Sequence, residues 1–296
     1  MNLGSVGAGE GPAWDGKGNL YFTNENRITR RDSAGKLHIF REPSGEANGL
    51  LFDAEHRLLI CESGTRRITR AEVDGKTTVL ADRYEGMKFN SPNDITIDSK
   101  GRIYFSDPRY LGWETIDQPV MGVYRIDTDG SISRIITDGG KPNGVAISPD
   151  QKTFYLVSND NGATGFERLS KGGATQADKV STPLHKGRMA LMAYDLAADG
   201  TAKFRKVLKD YSPEDGPDGC VCDRDGNVYA AVRAESRPGI CVYSPEGKEL
   251  AYIKTEVPTN VGFGRGKEAK TLYITAGKGL YRIKLNREGY QLPGKK

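Results

Sequence analysis

Glu10, Asn48, Asn93, Asn143, Asp218 and Asn260 are the residues whose type and placement could do chemistry: carboxylates and carboxamides, each opening a short apolar run. They are 38 (10 to 48), 45 (48 to 93), 50 (93 to 143), 75 (143 to 218) and 42 (218 to 260) residues apart. Brought together, they make an all-oxygen environment without His or Cys, suited to a hard divalent cation such as Ca²⁺, Mn²⁺ or Mg²⁺. Glu10 and Asp218 would neutralise its charge. A lone Asn-Gly is ordinarily just a turn, because short polar side chains bond their own backbone and Gly accepts turn geometry. Six equivalent positions, with acids among them, predict a metal site instead.

The elements that must position these residues are read from the repeat around them. Asn93-Asp-Ile-Thr-Ile-Asp98 runs into a Ser-Lys-Gly turn and returns through Arg102-Ile-Tyr-Phe-Ser-Asp107, a hairpin with a carboxamide at its mouth. The other units copy it, and most add two further apolar runs separated by Gly turns, as in Arg27-Ile-Thr-Arg30 and Lys36-Leu-His-Ile-Phe40. A sheet of four short strands cannot bury both faces alone, so radial stacking is the natural solution. The sequence predicts an all-β fold, a six-bladed β-propeller with a central metal site, as one domain over residues 1–296. Ring closure calls for a strand from one terminus beside those of the other, with Leu3 to Ala8 the candidate. If each unit begins with the strand nearest the axis, the six polar residues share one channel mouth. The second strand returns to that mouth and adds Ser63, Asp107, Asn159 and Arg233 to its rim. The insertions at 109–120 and 159–187 then overhang the same face.

Composition agrees. The 296 residues are 36% hydrophobic with 37 Gly and 14 Pro, which suits many short strands better than long amphipathic helices. Net charge is +4 from 43 basic and 39 acidic residues spread along the chain, with no basic stripe interleaved with aromatics, so no nucleic-acid partner is expected. No apolar stretch is long enough to span a bilayer, and no membrane partner is expected. A soluble protein is expected, cytoplasmic or periplasmic, since a removed leader would leave the same start. It would be a monomer or dimer. Cys61, Cys220, Cys222 and Cys241 lack zinc-ligand spacing and read as buried free thiols.

Four motifs carry a resemblance: Tyr84-Glu-Gly-Met-Lys-Phe-Asn-Ser-Pro-Asn-Asp94, Ile103-Tyr-Phe-Ser-Asp-Pro108, Pro142-Asn-Gly-Val-Ala-Ile-Ser-Pro-Asp150 and Gly216-Pro-Asp-Gly219. In kind and order, over almost the whole chain, they resemble the gluconolactonase and regucalcin family, nearest its bacterial gluconolactonase branch. The resemblance implies a six-bladed propeller holding one divalent metal through Glu10, Asn143 and Asp218, with Asn93 as a further ligand or a substrate contact. Ca²⁺ is the first expectation, with Mn²⁺, Mg²⁺, Zn²⁺ and Fe²⁺ as alternatives. It further implies hydrolysis of an aldonic-acid lactone, with Asp218 as general base and Asn93 orienting substrate or water. Asp94, Ser63, Tyr110, Trp113 and Phe166 are the expected substrate contacts, although for each aromatic loop packing is a competing role and for Asp94 a backbone one. Cys61-Glu-Ser63-Gly replaces the Cys-Glu-His-Gly of that branch, and Ser91 replaces an Arg of some animal relatives. A similar Glu, Asn, Asn, Asp set belongs to diisopropyl fluorophosphatase, so cleavage of phosphorus–fluorine or phosphotriester bonds is a second enzymatic reading. A calcium-binding propeller whose metal only pins the blades is the non-enzymatic one.

Overall fold

A computed structural model describes residues 1–110, 115, 117–160 and 187–292. Within these, six antiparallel sheets stand around one axis, each running from an inner to an outer strand in chain order. The inner strands are Glu10–Trp14, Ala47–Phe52, Ile95–Ile97, Pro142–Ile147, Pro217–Cys222 and Pro258–Phe263. Each contacts the next and the last contacts the first, so the ring is closed. Numbering the blades from the N-terminus, blades 1 to 5 have four strands and blade 6 has three of its own.

Burial explains why short, apolar-poor strands suffice. The second strands Leu58–Glu62, Ile103–Asp107, Thr153–Asn159 and Val228–Val232 are buried along their whole length, because a neighbouring blade covers each face. The outer strands Leu37–Arg41, Thr77–Ala81 and Glu249–Lys254 are largely exposed. Apolar side chains accordingly form a buried cluster between every neighbouring pair of blades, including Ala8, Leu20 and Phe22 of blade 1 against Tyr273 and Leu280 of blade 6. All four cysteines are free and buried, three of them between blades 4 and 5. No helix among the described residues is long and apolar enough to cross a membrane.

One device recurs at the turn between first and second strands. The Asp53 carboxylate accepts from the backbone N–H groups of Glu55 and Arg57, each at 2.9 Å. Asp98 does the same for Lys100 and Arg102, and Asp223 for Asp225 and Asn227. These Asx turns close the hairpins at the end of the ring opposite the six polar residues.

Two details differ from the sequence reading. A hairpin of two-residue strands, Arg83–Tyr84 and Met87–Lys88, lies between blades 2 and 3. The N-terminal segment does complete blade 6, but its bonds begin at Met1 rather than at Leu3 and end at Ala8, whose N–H donates to Lys278 O at 3.1 Å. Leu3 donates to Leu280 O at 2.7 Å, Leu280 to Gly4 O at 3.1 Å and Arg282 to Met1 O at 2.9 Å. Gly4 and Gly7 have φ of 115° and 72°, which turn the chain from that outer position towards the axis, where Glu10 begins the first inner strand.

The Gly after four of the six polar residues is imposed by the ring. A Cβ on Gly49 would lie 2.6 Å from Asn93 O, and one on Gly144 would lie 2.5 Å from Asp218 O, in each case backbone of the next blade. Gly144→Ala is therefore expected to cost about 1–3 kcal/mol through overpacking that backbone cannot relieve. A thermal melt checks this. A variant melting with the parent would mean that inner strands part without cost.

Candidate active site

Five of the six inner strands shift register at the polar residue. The irregularities fall between Glu10 and Ala13, Ala47 and Leu50, Pro142 and Val145, Pro217 and Cys220, and Pro258 and Asn260. Such bulges interrupt the ladder and re-aim side chains. Blade 3 uses a different device: Asn93 N donates to Ser106 O at 2.9 Å and Asp94 N to the Ser106 hydroxyl at 3.0 Å, ahead of the strand Ile95–Ile97.

The result is a cleft of about 430 Å³ at one mouth of the channel, lined by Glu10, Asn48, Ser63, Asn93 and Tyr110 among others. Glu10 is pushed well above the usual carboxylate range by burial, then by the charges of Asp218 and Asp94, while Asn260 and Arg233 pull the other way. Asp218 is raised by burial and held back by Arg233, whose Nη1 donates to Asp218 Oδ2 at 2.9 Å, and by Asn143. Asn143 Nδ2 donates to the Tyr110 hydroxyl at 3.1 Å, and that hydroxyl donates to Asn159 O at 2.9 Å. The Tyr110 ring sits 4.5 Å from Lys141 Nζ, and Asn159 Nδ2 donates to Pro217 O at 3.2 Å, one residue before Asp218. With Nδ2 spent in this way, the carboxamide oxygen of Asn143 is the atom with which it would ligate a cation.

Asp94 takes the place that Gly holds in four other units, and its Oδ2 accepts from Val145 N at 3.0 Å, tying blade 3 to blade 4. It lines the channel beneath the mouth together with Asn260. Burial raises its titration to about 7, Asp218 adds to this, and the N–H groups of Val145 and Ile95 and the Asn260 side chain oppose it. Ser63 lines the cleft, with its hydroxyl spent on Pro92 O at 2.6 Å, so that it holds the turn into Asn93. Trp113 and Phe166 lie outside the described residues, as do residues 161–186 of the long insertion. The far end of the channel is occupied by Arg265, which donates to Phe52 O, to Asp53 O at 3.0 Å and to Gln291 Oε1 at 2.9 Å.

The donor set fits a divalent cation. Two carboxylates that burial and mutual repulsion disfavour as anions are what a cation would relieve. Asn48 Oδ1, in the same cleft, is buried without a hydrogen-bond partner among the described residues. Among the described residues no three of His, Cys, Asp and Glu converge, so carboxamide oxygens must complete the set, as hard cations accept.

A family model described as the SMP-30/Gluconolactonase/LRE-like region matches residues 8–178 and 184–278. The chain belongs to this family. A gluconolactonase of Zymomonas mobilis is 27% identical over 93% of this chain and 78% of its own length. A pentonolactonase of Haloferax volcanii is 28% identical over 92% and 82% respectively. The solved structure of a gluconolactonase from Xanthomonas campestris superposes with a TM-score of 0.77 at 26% identity, covering 98% of this chain and 88% of that one. Within the family frame the structure adds partners that residue spacing did not name: Arg233 on Asp218, Tyr110 on Asn143, Asn159 on Tyr110, and Asn260 beside Glu10. The available signal was strand phase, which set Arg233 and Asn159 on the rim without giving either a partner.

Proposed function

We propose that this protein is a lactonase that opens the ring of an aldonic-acid lactone with the help of one divalent cation, Ca²⁺ first among the candidates. Lactone hydrolysis follows from the family and from relatives named as gluconolactonase and pentonolactonase. The sugar lactone is taken from those relatives' names, and the cation is supported by one observation: the buried Glu10 carboxylate lies in the field of Asp218. Glu10, Asn143 and Asp218, with Asn93 beside them, would hold the cation, which supplies Lewis-acid polarisation of the ring carbonyl.

The remaining work falls to the chain. Water adds to the carbonyl carbon as Asp218 accepts its proton. The ring C–O bond then breaks, and the leaving oxygen takes that proton to become a hydroxyl. The acid formed loses its own proton to solvent, which leaves a carboxylate. Arg233 on one carboxylate oxygen fixes the orientation of Asp218, and Asn93 orients the water or the sugar. Tyr110 walls the cleft and keeps Asn143 in place.

A pH-indicator screen of a lactone panel tests this, using protein stripped of metal and reloaded with single cations. Acid release is expected with aldonic lactones and a reloaded cation, and a fall of at least ~10²-fold on stripping, the scale of a lost electrostatic stabiliser. Stripped protein as active as reloaded would remove the cation from the reading. Activity confined to phosphotriesters would remove the lactone.

A further inference from the structure

Orienting Asp218 uses one N–H of Arg233, and we propose that the residue is also a specificity and turnover residue: when Asp218 is engaged by a cation, the Arg233 guanidinium holds the carbonyl oxygen as it becomes anionic and then the carboxylate of the opened product. The inference rests on the lactonase reading. Its geometry is set by backbone. Val232 pairs with Pro217, and Arg233 N donates to Gly216 O at 3.3 Å, so the residue is fastened beside the start of the inner strand that carries Asp218. A guanidinium has five N–H donors in a planar fork. Among the described residues its hydrogen-bonded side-chain partner is Asp218, through Nη1, and its side chain is 32% exposed against 14% for Asp218. Donors are thus left over at the open side of the mouth.

Charge points the same way. The field of Arg233 reaches Glu10, Asp218 and Tyr110 together. Glu10, Asp94 and Asp218 contribute three negative charges to Arg233's one, a sum of −2 when all are ionised. A divalent cation brings that sum to zero, and hydrolysis then adds one negative charge on the oxygen that becomes carboxylate. Without Arg233 the loaded site would already be negative before that charge appears. An arginine fork matches both oxygens of a carboxylate, so the same residue suits the developing oxyanion and the product.

The arrangement also makes Arg233 and a cation rivals for Asp218, which separates this role from a purely structural ion pair. Arg233→Met and Arg233→Lys are compared with the parent by melting temperature, by titration of stripped protein with Ca²⁺ against a chromophoric chelator, and by calorimetric titration of the Ca²⁺-loaded proteins with D-gluconate. Lactone kinetics at saturating Ca²⁺ complete the set. Arg233→Met is expected to bind Ca²⁺ at least roughly fivefold tighter, the effect of removing one like charge ~4 Å away even at the dielectric of bulk water. It is expected to bind gluconate at least roughly tenfold more weakly and to lose roughly 10²-fold in kcat/KM, mostly in kcat, the scale of one lost oxyanion donor. Arg233→Lys, which keeps the charge but not the fork, should fall between them and carries the test if the Met variant does not fold. Unchanged or weaker Ca²⁺ binding in a folded Met variant would overturn the rivalry for Asp218. Gluconate binding equal to that of the parent would overturn the proposal whatever the turnover. If the parent opens no lactone while the gluconate difference persists, the lactonase reading alone falls.

Discussion

Asp218→Asn, assayed with its cation site saturated, is expected to lose at least roughly 10²-fold in lactone turnover while melting close to the parent. The substitution keeps the size and one ligand oxygen but removes nearly all basicity, and general-base assistance is worth ~10²–10⁴-fold. The structure sharpens the expectation. Asp218 is raised by burial and drawn back by Arg233 and Asn143, so its basicity is a balance that the carboxamide abolishes. Loss of the anion also leaves Arg233 facing the cation without its 2.9 Å partner, so the mutant should need more cation for saturation. Metal occupancy must therefore be measured in the same samples. An occupied mutant turning lactone over at the parental rate would reduce Asp218 to a ligand. Asp94, one layer down the channel, would then be the next base to examine.

The fold was legible because its constraints are local in sequence. A polar residue at a bulged inner strand, followed by a Gly that the neighbouring strand's backbone forbids from carrying a Cβ, is a two-residue signature. Gly49 against Asn93 and Gly144 against Asp218 show its cause. The mouth residues were legible for the same reason. What stayed hidden depends on packing between segments remote in sequence. Tyr110 reaches Asn143 across 33 positions and Asn159 across 49, and nothing in the type of any of the three announces the pairing. Arg233 is one arginine among many until the Val232 to Pro217 register brings it to Asp218. For Asp94 the sequence leaves a substrate contact and a backbone role open, and the structure puts its carboxylate on Val145 N beneath the mouth, because strand phase alone leaves depth along the channel undetermined. The hairpin at 83–88 was missed because two-residue strands are shorter than any period that alternation can register.

Metal-free protein is expected to become more stable at pH 8 when Glu10 is changed to Gln, although the same substitution should weaken cation binding. A carboxylate whose folded pKa is raised above its unfolded value holds its proton more tightly when folded. Its contribution is intact below the unfolded pKa and is lost as pH rises through the folded one. Glu10 is raised well above 4.5, by burial first and then by Asp218 and Asp94, so the stripped parent loses this contribution progressively as pH rises above about 4.5. Gln carries no such charge. Like charges ~4 Å apart repel by ~1–4 kcal/mol between the dielectric of bulk water and that of a protein surface, and each kcal/mol moves a melting temperature by ~2–4 °C in domains of 150–250 residues. Glu10→Gln should therefore melt several degrees above the stripped parent at pH 8 and close to it at pH 4.5. The difference between the two proteins is the diagnostic quantity, because other carboxylates slope the other way. Glu62, for one, is held low in spite of its burial by Thr65, Thr69, Arg67 and Arg41 and gives up that stabilisation as pH falls. Saturating Ca²⁺ should reverse the order at pH 8, since a ligand at 100 times its Kd adds about 2.7 kcal/mol to the parent and less to a variant that binds it weakly. If the stripped variant melts at or below the stripped parent at pH 8, the Glu10 carboxylate is already relieved by its protein neighbours, and the mouth has no electrostatic need for a cation.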